Sequence, residues 1–167
     1  MSKFATKAAD SPFYLARMEA SKVNDRLASR EGAADETGID RSRMARVELG
    51  SANPTPEEVL LLADTYDAPQ LLNYYCSMCC PIGRQNVKPC AVQEFDRVMM
   101  QALAALQGTD KISAAIISIA QDGRVDPGED VQMGEILAYM KNVATAAEAM
   151  RLWIKKNLKG EACNGKK

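Results

Sequence analysis

The apolar positions of this chain recur at intervals of three and four along almost its whole length, the spacing of a helix face. No stretch carries the strict alternation of a half-buried strand. Capping signals divide the pattern into helices. Ser11 and Pro12 open the first, "SPFYLARMEASK", which reaches about Lys22. Ser29 caps a short second, "SREGAADET", ended by Gly38, and Asp40 caps a third that runs to about Leu49. The fourth starts with Thr55 as cap, Pro56 in the first position and Glu58 returning the capping-box bond. It stops before Pro69, and a fifth, "PQLLNYYCSMCC", runs to Pro81. Residues 1–10 are polar and expected to be loose.

"PIGRQNVKP", residues 81–89, has two prolines, a glycine and no helical periodicity, so it reads as a linker. Beyond it the composition changes and the helical pattern resumes. Apolar residues at 92, 95, 99, 102, 103 and 106 predict one helix, and Ile112, Ala115, Ile116 and Ile119 a second. Asp126, Pro127 and Glu129 form a capping-box pattern that opens a third. On that helix Met133, Met140, Ala147 and Ile154 lie seven apart, with Ile136, Leu137, Ala144 and Met150 between them. This is a seam about three heptads long, as well suited to packing inside its own domain as to pairing between subunits. The expected organisation is a first domain over residues 1–80, a linker over 81–89, a helical domain over 90–160 and a disordered tail over 161–167. The fold class is all-α.

Composition narrows the chemistry. The chain has 167 residues, is 47% hydrophobic and 26% charged, and contains no histidine. Serine–histidine and cysteine–histidine catalysis are therefore excluded, as are histidine-ligated metals, and neither common phosphate-binding glycine loop is present. An enzyme is not expected. With no run of 18 apolar residues and no hydrophobic signal segment in "MSKFATKAADSP", a soluble, cytoplasmic protein without membrane contact is expected.

The third helix carries the most informative pattern. "GIDRSRMARVELG", residues 38–50, packs Arg41, Arg43 and Arg46 into one short helix of a chain whose net charge is −1. At about 100° per residue, Met44 and Val47 fall on one side, Ser42, Ala45 and Arg46 opposite, and Arg41 and Arg43 on the flanks. The helix should bury the first pair and present a narrow cationic face, of a shape the DNA major groove admits. Ahead of it, Ala34 is a small residue where two helices can cross, and Gly38 suits a left-handed turn. Ala33, Ile39, Met44 and Val47 supply the apolar residues that return the second helix of the pair to the first.

This arrangement, "SREGAADETGIDRSRMARVELGSANPTPEEVLLLADTYDAPQLL" (residues 29–72), resembles the Cro/repressor-type (xenobiotic-response-element-like) helix-turn-helix family of transcriptional regulators. Including the first helix and the end of the fifth, the resemblance spans about residues 11–76. It implies a five-helix repressor-type DNA-binding domain followed by a helical C-terminal segment that dimerises or receives a signal. It further implies a sequence-specific regulator, a homodimeric repressor on double-stranded DNA, with an unidentified effector. Carried over by position, Arg41 and Ser42 are the first base-contact candidates, with Arg46 one turn on. Arg43 is assigned to a phosphate, as are Arg30, where many relatives have a bracing glutamine, and Asn53 in the turn before helix four. Glu48 is assigned to structure, pairing with an arginine. Thr37 departs from the larger apolar residue often found before the turn glycine, and Gly32 weakens its helix by up to about 1 kcal/mol. The charge of residues 1–84, ten Lys and Arg against twelve Asp and Glu, favours a local patch over a general basic surface. It also leaves room for an alternative, a protein-interaction adaptor that does not read DNA.

Two further motifs carry chemistry-bearing residues. If helix five runs regularly to Pro81, Cys76, Cys79 and Cys80 share a face, and Cys90 closes a four-thiolate site for zinc or an iron–sulfur cluster. Against this, the spacing matches no familiar metal module, and a helix C-terminus raises a thiol pKa. Buried structural cysteines and no cofactor are the expectation, with a thiol- or metal-responsive regulator as the alternative. "QDGRVDPGED" places Asp122, Asp126 and Glu129 like the later half of a calcium loop, but Ser118 and Ala120 stand where its first carboxylates belong. A turn at Asp122–Gly123 followed by the capped helix explains it better.

Overall fold

The computed structural model describes residues 8–121 and 128–158, and every regular element among them is helical. The expectations for residues 1–7, the Asp122–Gly123 turn, the Asp126–Pro127 cap and the 161–167 tail lie outside the described residues. The chain divides into two compact units, 1–90 and 91–167.

In the first unit the caps at Ser29, Asp40 and Thr55 operate as their chemistry dictates, whereas the Ser11 side chain makes no capping hydrogen bond. Helix α1 spans Pro12–Ala20 with Pro12 in its first turn. A 3-10 turn, Asp25–Ala28, follows, and then α2, Arg30–Thr37, where the Ser29 hydroxyl accepts from Gly32 N at 3.0 Å. Helix α3 is Arg41–Glu48, and Asp40 Oδ1 accepts from Ser42 N at 2.9 Å and Arg43 N at 3.0 Å. Helix α4, Pro56–Thr65, has the complete Thr55/Glu58 capping box. One core joins these helices: Phe13 and Ala16 from α1, Ala33 from α2, Met44 and Val47 from α3, Val59, Leu62 and Ala63 from α4. Leu27, Ile39, Tyr66 and Leu71 close it.

Two expectations for this unit are corrected. The fifth helix does not run regularly to Pro81: α5 is α-helical over Gln70–Tyr74, then widens into a π turn over Tyr75–Cys79, where Cys80 N donates to Tyr75 O at 2.9 Å. The stretch 81–89 is not an open linker either. It holds a helical turn, α6, Gly83–Asn86, and returns to the first unit through buried Asn73. Asn73 Nδ2 donates to Lys88 O at 3.2 Å, while its Oδ1 accepts from Cys90 N at 2.7 Å. A buried amide needs such partners, and two main-chain groups of this stretch supply them.

The second unit consists of α7, Phe95–Leu106, α8, Thr109–Ala120, and α9, Glu129–Asn157, a rod about 43 Å long. Helix α9 packs along α7, with the Phe95 and Trp153 rings 4.9 Å apart, and more lightly on α8, where the Thr109 and Tyr139 hydroxyls meet at 2.7 Å. Helix α7 buries Val98, one position off the phase read from the sequence, while Phe95, Leu103 and Leu106 stay exposed. The α9 seam is out of phase likewise. The helix buries Ala146, Ala149 and Leu152, none of them a seam position, whereas Met133, Leu137 and Met140 of the seam remain 45%, 55% and 48% exposed. Among the described residues no helix is long and apolar enough to cross a membrane.

Candidate nucleic-acid interface

The α2–α3 junction rests on a left-handed residue and a threonine. Gly38 has φ 71°, and its N–H donates to Ala34 O at 2.8 Å. In that conformation a side chain is strained, which fixes glycine here. Thr37, which departs from the expected apolar residue, is buried and employed twice: its hydroxyl donates to Ala33 O at 2.8 Å and accepts from Ile39 N at 3.2 Å. Helix α3 is held from below by buried Met44 and Val47, with the Tyr66 hydroxyl 3.7 Å from Met44 Sδ. Burial pushes the Tyr66 phenol well above its ordinary pKa, so it stays protonated and apolar toward the core.

The opposite face of α3 is open. Arg41, Ser42 and Arg46 are all exposed, with the small Ala45 half-buried between them. Arg41 Nε lies 3.3 Å from Glu31 Oε1, but both side chains are largely in water, so the pair is loose. Arg46 has no ion-pair partner among the described residues.

The other arginines are held. Arg43, expected on a phosphate, folds back onto α4: Nε donates to Glu58 Oε1 and Nη2 to Glu58 Oε2, both at 2.8 Å, and Nη2 also reaches Asn53 O at 2.8 Å. It thereby clamps the α3–α4 turn through the carboxylate that completes the α4 capping box. Asn53, in that turn, is itself exposed. The hydrogen bond from Arg43 lowers the Glu58 pKa; partial burial opposes it, and the Thr55 N–H adds to it. The pair's contribution is present above the unfolded glutamate pKa and lost as pH falls through the lowered folded value. A carboxyl-carbon NMR titration should therefore place the Glu58 midpoint below the ordinary value of about 4.3. Substituting Arg43→Ala should move it back up, and an unshifted wild-type midpoint would mean the clamp is open in solution.

Arg30 is likewise engaged at its inner end. Its Nε donates to Glu48 Oε2 at 2.7 Å, and the same carboxylate receives Arg17 Nε at 2.6 Å and Nη2 at 3.2 Å. Glu48 thus has the structural role read from its sequence position, with two arginines as partners. Arg17 was missed: the sequence marks it only as a charge on the α1 face that also carries Phe13 and Ala16.

The cysteines are arranged differently from a metal module. Cys76, Cys79 and Cys80 are half-buried within or beside the π turn, and the regular helical face that aligned them on paper is absent. Among the described residues, no three of Cys, Asp or Glu converge in a way that holds a metal ion. Burial raises the Cys79 thiol pKa, with Arg84 offsetting it in part. Cys79 lines a cleft of about 260 Å³ together with Phe13, Leu49, Asn53 and Tyr74.

Two short helices crossing at a left-handed glycine, the second presenting a cationic outer face, define a helix-turn-helix module, the class that docks its second helix in the major groove. In agreement with that geometry, residues 14–72, about a third of the chain, match the family described as a helix-turn-helix domain. Comparisons with curated proteins and with solved structures find no match.

Proposed function

We propose that the chain is a sequence-specific DNA-binding transcriptional regulator that acts in the cytoplasm as a homodimer, most simply as a repressor that blocks a promoter by occupancy. The observation that carries this reading is the exposed Arg41–Ser42–Arg46 face on a helix anchored by Met44 and Val47. In this reading Arg41 and Arg46 donate to guanine edges and Ser42 to a neighbouring base. Arg30 and Asn53 hold the flanking backbone, and Arg43 positions the turn that carries Asn53 more than it binds phosphate itself. One helix reads few base pairs, so two copies on a palindrome supply the specificity. The reading requires no catalytic step and no cofactor.

Selection from a random duplex pool should recover a palindrome with half-sites about one helical turn apart. On that sequence Arg41→Ala and Arg46→Ala should each cost about 1–3 kcal/mol and relax preference at the base contacted. The excess of acid over base in residues 1–84 favours the adaptor as the second reading. Absence of enrichment at low salt with folded protein would move the assignment there.

A further inference from the structure

The second unit has an incomplete core. Its buried apolar residues, among those described, are Val98, Ile119, Ala146, Ala149 and Leu152. None of them lies on α9 before Ala146, yet the first half of that helix carries Met133, Leu137 and Met140, each about half exposed. At about 100° per residue these three fall on one line with the exposed Ala144 and Ala147, a stripe roughly 21 Å long. The line is graded in size, two large residues at its N-terminal end and two alanines at its C-terminal end, with Met140 at its middle. Charge is graded too: Glu129 and Asp130 precede the stripe, while beyond it Arg151, paired with Glu148 at 2.6 Å, is followed by Lys155 and Lys156 in the last turn.

We infer that this stripe is the contact surface for a second copy of the chain, two α9 helices pairing antiparallel about a two-fold axis at Met140. The inference deepens the two-copy reading proposed above and rests on it. In this register Met133 of one copy meets the small Ala147 end of the other, and Leu137 meets Ala144, so large residues fill the space small ones leave. The acidic first turn of one copy, Glu129 and Asp130, comes to the basic end of the other, where Lys155 on the same line adds the positive charge that the Arg151–Glu148 pair does not leave free. A parallel pairing does the reverse on both counts: methionine meets methionine at one end, a gap opens between alanines at the other, and like charges face each other. The antiparallel arrangement also sets the helix dipoles in opposition. The contact is self-complementary, and so it closes at two copies.

Sedimentation equilibrium of the full chain tests the surface, and disulfide trapping tests the register. Wild type should be dimeric, and Met140→Glu or Leu137→Glu should raise the dissociation constant at least 100-fold with the helical circular dichroism unchanged. Leu103→Glu, on an exposed position of α7, should leave it within threefold. When the M133C and A147C chains are mixed and oxidised, peptide mapping should recover a 133–147 cross-link. M133C alone should give no 133–133 cross-link. A wild-type monomer at all concentrations would overturn both this inference and the two-copy reading. A dimer indifferent to Met140→Glu and Leu137→Glu would overturn the surface alone, and a 133–133 cross-link the antiparallel register alone; either leaves two-copy DNA reading standing.

Discussion

Replacing Glu48 with alanine is expected to destabilise the first unit by about 3–5 kcal/mol, a large share of the stability of a small domain. The carboxylate is 1% exposed and the Arg17 side chain beside it 3%. Arg17 uses Nε and Nη2 on Glu48, while Nη1 is committed to Leu27 O at 2.8 Å and Ala28 O at 3.1 Å. Without the carboxylate, a guanidinium stays buried with two main-chain carbonyls, the Met18 sulfur and the Tyr14 ring as its remaining partners, none of them a counter-charge, and the desolvation cost is no longer offset. The loss reaches function because Glu48 is the last residue of α3, and through Arg17 and Arg30 it ties that end to α1 and to the start of α2. Urea unfolding followed by circular dichroism reads the change directly. The control is Arg17→Met with Glu48→Leu, which removes both charges and should recover most of the loss. If Glu48→Ala unfolds within about 0.5 kcal/mol of wild type, the network is hydrated in solution and this account of the α3 anchor is wrong.

What could be read from the sequence was whatever acts over a few residues. The caps at Ser29, Asp40 and Thr55, the Thr55/Glu58 box and the turn at Gly38 each satisfy main-chain groups three or four positions away, so local order specifies them completely. Their joint spacing was enough to place the helix-turn-helix and its outward face. Partnerships between elements were not legible in the same way. A buried glutamate at the end of α3 demands a cation, but its partner across 31 positions depends on how α1 crosses, and Arg17 looks no different in sequence from an exposed arginine. Arg43 illustrates the same limit from the other side. Its flanking position on α3 is compatible with a phosphate until α4 brings Glu58 within 2.8 Å. In the second unit the helices are rich in alanine and methionine and apolar around much of their circumference. Several phases then satisfy the pattern equally, so Val98, Ala146 and Ala149 each lie one position, and Leu152 two, from the residues the pattern selects. The π turn at Tyr75–Cys79 has no local signature, and it replaces the regular α turn from which the shared face of Cys76, Cys79 and Cys80 is read.

Gly32 supplies the second large effect, and here the ordinary expectation changes sign. Alanine in place of glycine inside a helix normally stabilises by about 1 kcal/mol. Gly32 lies on α2 where the helix crosses the 3-10 turn, and a Cβ there would stand 2.0 Å from Arg26 O and 2.9 Å from Arg26 C. Both are main-chain atoms, so no side chain can swing aside and the turn itself has to move. Gly32→Ala is therefore expected to destabilise by about 3 kcal/mol, at the upper end of overpacking costs. The displaced turn carries Leu27, which is fully buried, and the Leu27 carbonyl that holds Arg17, so the strain is transmitted into the Glu48 network. The two substitutions should for that reason be more than additive: once Glu48→Ala leaves buried Arg17 resting chiefly on the Leu27 and Ala28 carbonyls, moving the turn that carries them removes its main remaining partners. Denaturation of the two single variants and the double mutant measures this coupling. A stabilised Gly32→Ala protein would mean that α2 and the turn do not approach as closely as described, and that Gly32 is no more than a weak point in its helix. A destabilised one with full additivity would keep the close approach and break its link to the arginine–glutamate anchor beneath the recognition helix.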